Sequence, residues 1–233
     1  PTLGSGSHAV HVPSNDVMVN ITAVGADDPT SNGVRSGVDG FEVAWDQSET
    51  WSPSQAANRS ADWTGGTFEA TSDGAWWFHI ATVDVAGNWT STEHLGPFDI
   101  DTRKPVATVT TDRTTIASGS PIYEDSLVVT VTVTYDEAMD TMTEPTITLQ
   151  DAGTHWGAQT SLGWTGNTIY RATFTHNGTQ EPMLPDTVIT AFARVSSGSG
   201  ATDLAGNEDV GGDSDPFDID TRKPCLLYTS PSP

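Results

Sequence analysis

Pro97-Phe98-Asp99-Ile100-Asp101-Thr102-Arg103-Lys104-Pro105 recurs without change as Pro216-Phe217-Asp218-Ile219-Asp220-Thr221-Arg222-Lys223-Pro224, 119 residues downstream. At the same offset Asp84-Val85-Ala86-Gly87-Asn88 faces Asp203-Leu204-Ala205-Gly206-Asn207, so the ending from this turn to the proline has the same length in both copies. Equal endings on unequal beginnings are the mark of two related modules in an array rather than one closed barrel. The expected boundaries are 1–104 and 105–224. Pro1-Thr2 falls where Pro105-Val106 falls, which leads us to expect that the first module begins at the seam of an earlier one.

Working outward from the repeat, apolar residues alternate with polar ones at period two, the pattern of half-buried strands. Val17, Val19, Ile21 and Ala23 form one such series and Phe41, Val43 and Trp45 another, with a turn-rich loop from Asp27 to Gly33 between them. Trp76 to Val83 is apolar on both faces and ends at the Asp84–Asn88 turn, after which Phe98 and Ile100 begin the closing strand. In the second module Leu127, Val129, Val131, Val133 and Tyr135 alternate with Val128 and three threonines. Ile147 with Leu149, then Tyr170, Ala172 and Phe174, then Val188 to Val195, supply further strands. No segment sustains a period of 3.6, and turn clusters recur about every 8–12 residues, as in sandwiches.

Composition agrees. The 233 residues include 35 Thr, and 22 Asp stand against 9 Glu and 2 Lys, so a β-branched residue and a turn-forming carboxylate dominate. With 9 Lys+Arg against 31 Asp+Glu and a net charge of -22, the chain cannot neutralise a phosphate backbone, which excludes nucleic acid as a general partner and disfavours anionic membranes. The Asp excess fits either adaptation to high salt or an Asp-rich loop set. No stretch approaches the roughly 20 apolar residues of a membrane span. The last nine residues, Cys225-Leu226-Leu227-Tyr228-Thr229-Ser230-Pro231-Ser232-Pro233, match neither module and resemble the translation of a sequencing-library adapter, so 225–233 reads as a non-native tail. Without it the chain has no cysteine, hence no disulfide, thiolate metal site or Cys nucleophile.

Two families are resembled. Gly40-Phe41-Glu42-Val43-Ala44-Trp45-Asp46, Trp76 to Asp84 and Ala86-Gly87-Asn88 resemble the fibronectin type III-like and related Ig-like repeats of large bacterial surface and secreted proteins. Val129 to Tyr135 followed by Asp136-Glu137-Ala138-Met139-Asp140, with Ala201 to Asn207 later, is similar to a bacterial Ig-like repeat. The charged Asp101-Thr102-Arg103-Lys104-Pro105 joint departs from the small residues usual before Pro. The resemblance implies an all-β protein of two tandem Ig-like (fibronectin type III-like) antiparallel β-sandwiches. It also implies an extracellular or cell-surface location and a binding or spacing role without catalysis.

Candidate chemistry is sparse. His8, His11, His79, His94, His155 and His176 show no paired-ligand spacing, and no nucleophile elbow or phosphate loop occurs. Gly4 to His8 and Ser196 to Gly200 read as flexible polar stretches. No carboxylate pair for glycoside hydrolysis can be picked out of 31 acids. Calcium, which takes six to eight oxygens, is the most specific ligand to consider. Asp99 and Asp101 at the joint, with Asp84 and Asn88 approaching, would make one set, and Asp218, Asp220, Asp203 and Asn207 its repeat. The alternative is that Asp84 and Asp203 cap their turns and Asp-Ile-Asp guards an edge strand. Of eight Trp, Trp45 and Trp76 are expected in the core and Trp51, Trp63, Trp89, Trp156 and Trp164 in turns, while Trp77 and Trp89 are the candidate sugar platforms. Asn20, Asn58, Asn88 and Asn177 lie in Asn-x-Ser/Thr sequons that arise by chance in so Thr-rich a chain.

The expected function is thus a stalk, spacer or adhesin segment whose partners are neighbouring modules, with a surface protein or polysaccharide as further partners. An accessory carbohydrate-binding module of a secreted hydrolase is the alternative.

Overall fold

Val19, Ile21 and Ala23 are buried and Met18, Asn20, Thr22 and Val24 exposed in the computed structural model, as period two requires. The structure describes residues 1–30, 33–112, 128–152, 156–175 and 189–219. Leu127, His155, His176, Asn177, Val188, Asp220 and the tail 225–233 lie outside them. The chain divides into two compact units, Pro1–Arg103 with Leu204–Gly206, and Lys104–Asp203 with Asn207–Pro233. No helix occurs among the described residues, and so none is long and apolar enough to cross a membrane.

The first unit runs β1 (Thr2–Ser5), β2 (Met18–Val24), β3 (Val38–Asp46), β4 (Arg59–Ser60), β5 (Gly65–Glu69), β6 (Gly74–Asp84) and β7 (Glu93–Ile100). One sheet has the order β1-β2-β5 and the other β4-β3-β6-β7, every pairing antiparallel. Their inner faces meet in a core of Val19, Ile21, Phe41, Val43, Trp76, Phe78, Ile80, Phe98 and Ile100. Each such side chain contributes about 1.5–3 kcal/mol on burial. Trp45 stacks on Trp76 with centroids 5.3 Å apart, and its indole N–H donates to the Glu69 carbonyl of the opposite sheet at 3.0 Å. The outer edge of β7 is closed by the segment before β2: the N–H groups of His11 and Ser14 donate to the carbonyls of Pro97 and Asp99, each at 3.0 Å. That cover removes an open template for strand pairing.

The second unit runs β8 (Ala107–Thr111), β9 (Val128–Tyr135), β10 (Ile147–Gln150), β11 (Thr160–Thr165), β12 (Ile169–Thr175), β13 (Ile189–Val195), β14 (Gly212–Asp213) and β15 (Phe217–Ile219). Its sheets are β11-β12-β9-β8, and β13 flanked by β10 on one side and by β14 and β15 in succession on the other. Taking β14 and β15 as one broken last strand, the seven strands A to G divide as A, B, E, D against C, F, G, the constant-type immunoglobulin arrangement. In the first unit the short fourth strand, β4, pairs with C instead of E. The two units therefore share a sandwich plan and differ in which sheet holds the fourth strand, one fibronectin type III-like and the other Ig-like. The second core gathers Val129, Val131, Val133, Tyr135, Tyr170, Ala172, Phe174, Ala193, Val195 and Phe217.

Some expectations needed correction. Gly4 and Ser5, read as flexible, pair with Thr22 and Ile21 in β1. Ser199, within the second stretch read as flexible, is buried: its N–H and hydroxyl donate to the Asp209 carboxylate at 3.2 and 3.0 Å. Trp164, expected in a turn, lies in β11 and donates its indole N–H to the Thr143 carbonyl at 2.9 Å. Each belongs to a segment with too few alternating apolar residues to read as strand or core.

Candidate functional site

Period two sends Trp76, Phe78 and Ile80 of β6 into the first core and Trp77, His79, Ala81 and Val83 to the opposite face of the same sheet. Such an outer face is ordinarily wet. Here His79, Ala81 and Val83 are buried, together with Glu42 of β3. Residues 47–58, between β3 and β4, lie over this face as a strap, and Glu42 is its anchor. One Glu42 carboxylate oxygen accepts from the Ser54 N–H at 2.9 Å and the Ser54 hydroxyl at 2.7 Å, the other from the Ala56 N–H at 3.1 Å. Burial pushes the Glu42 carboxyl up, but the bonds from Ser54, Ala56 and Gln55 outweigh it and hold it below the usual range. The Asn58 side chain bonds both the N–H and the carbonyl of Val43, at 3.0 and 2.9 Å, and so fixes the far end of the strap.

Beneath the strap, the ring of Trp51 stacks on His79 with centroids 5.9 Å apart and planes at 23°. His79 is fully buried and sits in register with Ala44 of β3 and His94 of β7. Its Nδ1 is 2.5 Å from Nδ1 of the exposed His94, and its Nε2 makes a long hydrogen bond of 3.4 Å to Oδ1 of Asp46. The carboxylate can only accept, so it places the His79 proton on Nε2 and leaves the Nδ1 lone pair facing His94. Burial is the main cause that lowers the His79 pKa, opposed by the Asp46 charge and reinforced by His94. A neutral imidazole with an oriented lone pair, an exposed imidazole beside it and a carboxylate behind it is a ligand set for a cation or a proton relay.

The residues singled out in the sequence fall elsewhere. Asp84 and Asn88 satisfy each other: the backbone and side-chain N–H groups of Asn88 donate to the two Asp84 oxygens at 2.7 and 2.8 Å. Those bonds hold the Asp84 carboxyl below its usual range. Asp203 and Asn207 repeat the pair at 2.8 Å in both bonds. The glycines between them have φ of 87° at Gly87 and 91° at Gly206, a backbone other residues adopt only with strain. Asp99 and Asp101 are not brought to Asp84 and Asn88. Gly74 at the start of β6 faces Ile100, so the turn at Asp84 lies ten residues, about 30 Å, away along the strand. In the second unit Asp218 pairs with Thr190 near the start of β13 and accepts its hydroxyl at 2.8 Å, whereas Asp203 follows the end of that strand. The turn pair therefore stands at the opposite end of strand F from Asp99 and Asp101 in the first unit, and from Asp218 in the second.

Trp77 and Trp89 are both half-buried. Trp77 lies against Gly96, where an added Cβ would come within 2.9 Å of the indole. Trp89 bridges to Val83, six residues along β6 from Trp77, or about 20 Å, so the two do not make one platform. His79 and His94 carry no mark in the sequence because fifteen residues separate them and only the β6–β7 register joins them. The one available signal is a histidine on a strand apolar on both faces, which demands a polar partner.

No family model matches this chain, and no curated protein does. Among solved structures it is similar to the fibronectin(III)-like modules of Clostridium thermocellum CbhA, with 12% identity, a TM-score of 0.33, and 94% of this chain and 95% of that one covered. It is also similar to the D00-D0 domain of intimin, with 11% identity, a TM-score of 0.30, and 94% of this chain and 99% of that one covered.

Proposed function

We propose that this chain is a non-catalytic spacer segment of a larger bacterial or archaeal surface or secreted protein, built from modules 1–104 and 105–224. The observation that supports it is that the chain on each side of the joint is tied into its own module. On one side the N–H and hydroxyl of Thr102 donate to Asp73 Oδ1 at 2.9 and 2.8 Å. On the other, Pro105 is buried and its carbonyl accepts from Val210 N–H at 3.0 Å, while Val106 N–H donates to Asp136 Oδ1 at 2.8 Å. Only Arg103 and Lys104 stand between these anchorages, and the Arg103 N–H donates to Asp101 Oδ1 at 3.0 Å. Pro105 fixes its own φ and restricts Lys104 before it. A net charge of -22 makes modules of this kind repel one another and stay soluble. Placement outside the cell rests on the family resemblance of the two modules.

Limited trypsin digestion of the native chain tests this. A spacer joint leaves the Arg103–Lys104 bond protected, and inserting Gly-Ser-Gly-Ser between these residues makes it a fast cleavage site. Equal cleavage rates in the two proteins overturn the spacer reading. Retardation by a soluble polysaccharide in native gels, abolished by Trp77→Ala, would replace it with carbohydrate binding.

A further inference from the structure

We propose that His79 and His94 form a binding site for a borderline divalent cation of the zinc, nickel or copper class, with Asp46 positioning His79 from behind. The two Nδ1 atoms lie 2.5 Å apart on adjacent strands, with their rings at 81°. One proton holds such a pair together, and a metal ion that accepts both lone pairs can take its place. At Zn–N bonds of about 2.0–2.1 Å and tetrahedral angles, the nitrogens would stand roughly 3.3 Å apart. The change needed is under 1 Å, and His94, exposed on β7, is free to make it.

The rest of the site suits a metal. A ligating histidine ordinarily donates its second ring N–H to a carboxylate or carbonyl, which fixes the tautomer and raises the basicity of the ligating nitrogen. Asp46 Oδ1 stands at His79 Nε2, on the far side of the ring from His94. Trp51 stacked on the His79 ring restrains its rotation. Imidazole donors select this class of cation over Ca²⁺ and Mg²⁺, which prefer oxygen. Only two protein nitrogens are supplied, so water completes the coordination and the outer positions stay open to a further donor.

The test is calorimetric titration of ZnCl₂ into the full chain, in excess CaCl₂ to occupy oxygen sites. One zinc ion per chain is expected at this site. His94→Ala abolishes that binding event, and its cooperative melting without metal shows that the variant is folded. Asp46→Asn weakens it by about tenfold or more without changing the stoichiometry. On zinc addition the Nδ1 resonances of His79 and His94 shift in long-range ¹H–¹⁵N spectra and those of His8 and His11 do not. Zinc uptake unaffected by His94→Ala, or abolished instead by His8→Ala, overturns the proposal, as does the absence of any uptake.

Discussion

Replacing Glu42 by glutamine keeps the shape of the strap's anchor and removes its charge. The carboxylate accepts hydrogen bonds from the Ser54 N–H and hydroxyl and from the Ala56 N–H. Bonds to a charged acceptor contribute about 1.5–3 kcal/mol each against about 0.5–1.5 for neutral ones. Glutamine can keep the two Ser54 bonds in weaker, neutral form, and then turns its NH₂ toward the Ala56 N–H, donor against donor. Relief of the carboxylate's own desolvation offsets part of this loss, and the net cost is about 2–3 kcal/mol. For a module of this size that lowers the melting temperature by roughly 10–20 °C, read by scanning calorimetry of the full chain at pH 7. The pH dependence has a definite sign. Glu42 titrates lower in the folded protein than its unfolded value of about 4.3, so its stabilisation is complete above about pH 5 and fades as pH falls through the folded value. The gap between wild type and Glu42→Gln is therefore constant from about pH 5.5 to 8 and closes below about pH 4. A shift under about 3 °C at neutral pH, or a gap undiminished at pH 3, would refute the anchoring role.

Tyr135→Phe removes the hydroxyl that donates to the fully buried Asp209 at 2.9 Å, and the cost in urea unfolding is about 1.5–3 kcal/mol. Burial, with the Asp209 charge beside it, pushes the Tyr135 phenol far above the ordinary range, so this tyrosine stays silent in an ultraviolet titration until the second module unfolds; ionisation near pH 10 in the native state contradicts the packing. Gly87→Ala costs about 1 kcal/mol or more, all of it backbone strain, because no atom lies within 4 Å of the added Cβ. An alanine tolerated at no cost there means that the turn relaxes out of its positive φ.

The strands that alternate are legible in the amino-acid order alone. Val19, Ile21 and Ala23, or Val129, Val131 and Val133, show their buried faces because burial on a pleated strand repeats every two residues. Edge strands are not legible in this way. β1, β5 and β11 carry glycine, serine and threonine, and are strands because a neighbour offers backbone partners, not because their side chains demand burial. The turn capping at Asp84–Asn88 and Asp203–Asn207 can be read as an alternative from spacing, since its bonds join residues four apart. Whether Asp84 meets Asp99 has no such local sign, since it depends on which end of β6 faces which end of β7.

The amino-acid sequence alone determined that this chain is all-β and built of repeated modules, because composition, period two and an unbroken repeat can be read along the chain without its contacts. Only the tertiary structure decided that the fourth strand joins opposite sheets in the two modules, that a strap covers the outer face of one sheet, and that His79 meets His94 and Asp46 beneath it. Those features arise from strand register and cross-sheet choice, which bring together residues 15 and 33 positions apart and leave no periodic trace in the chain itself.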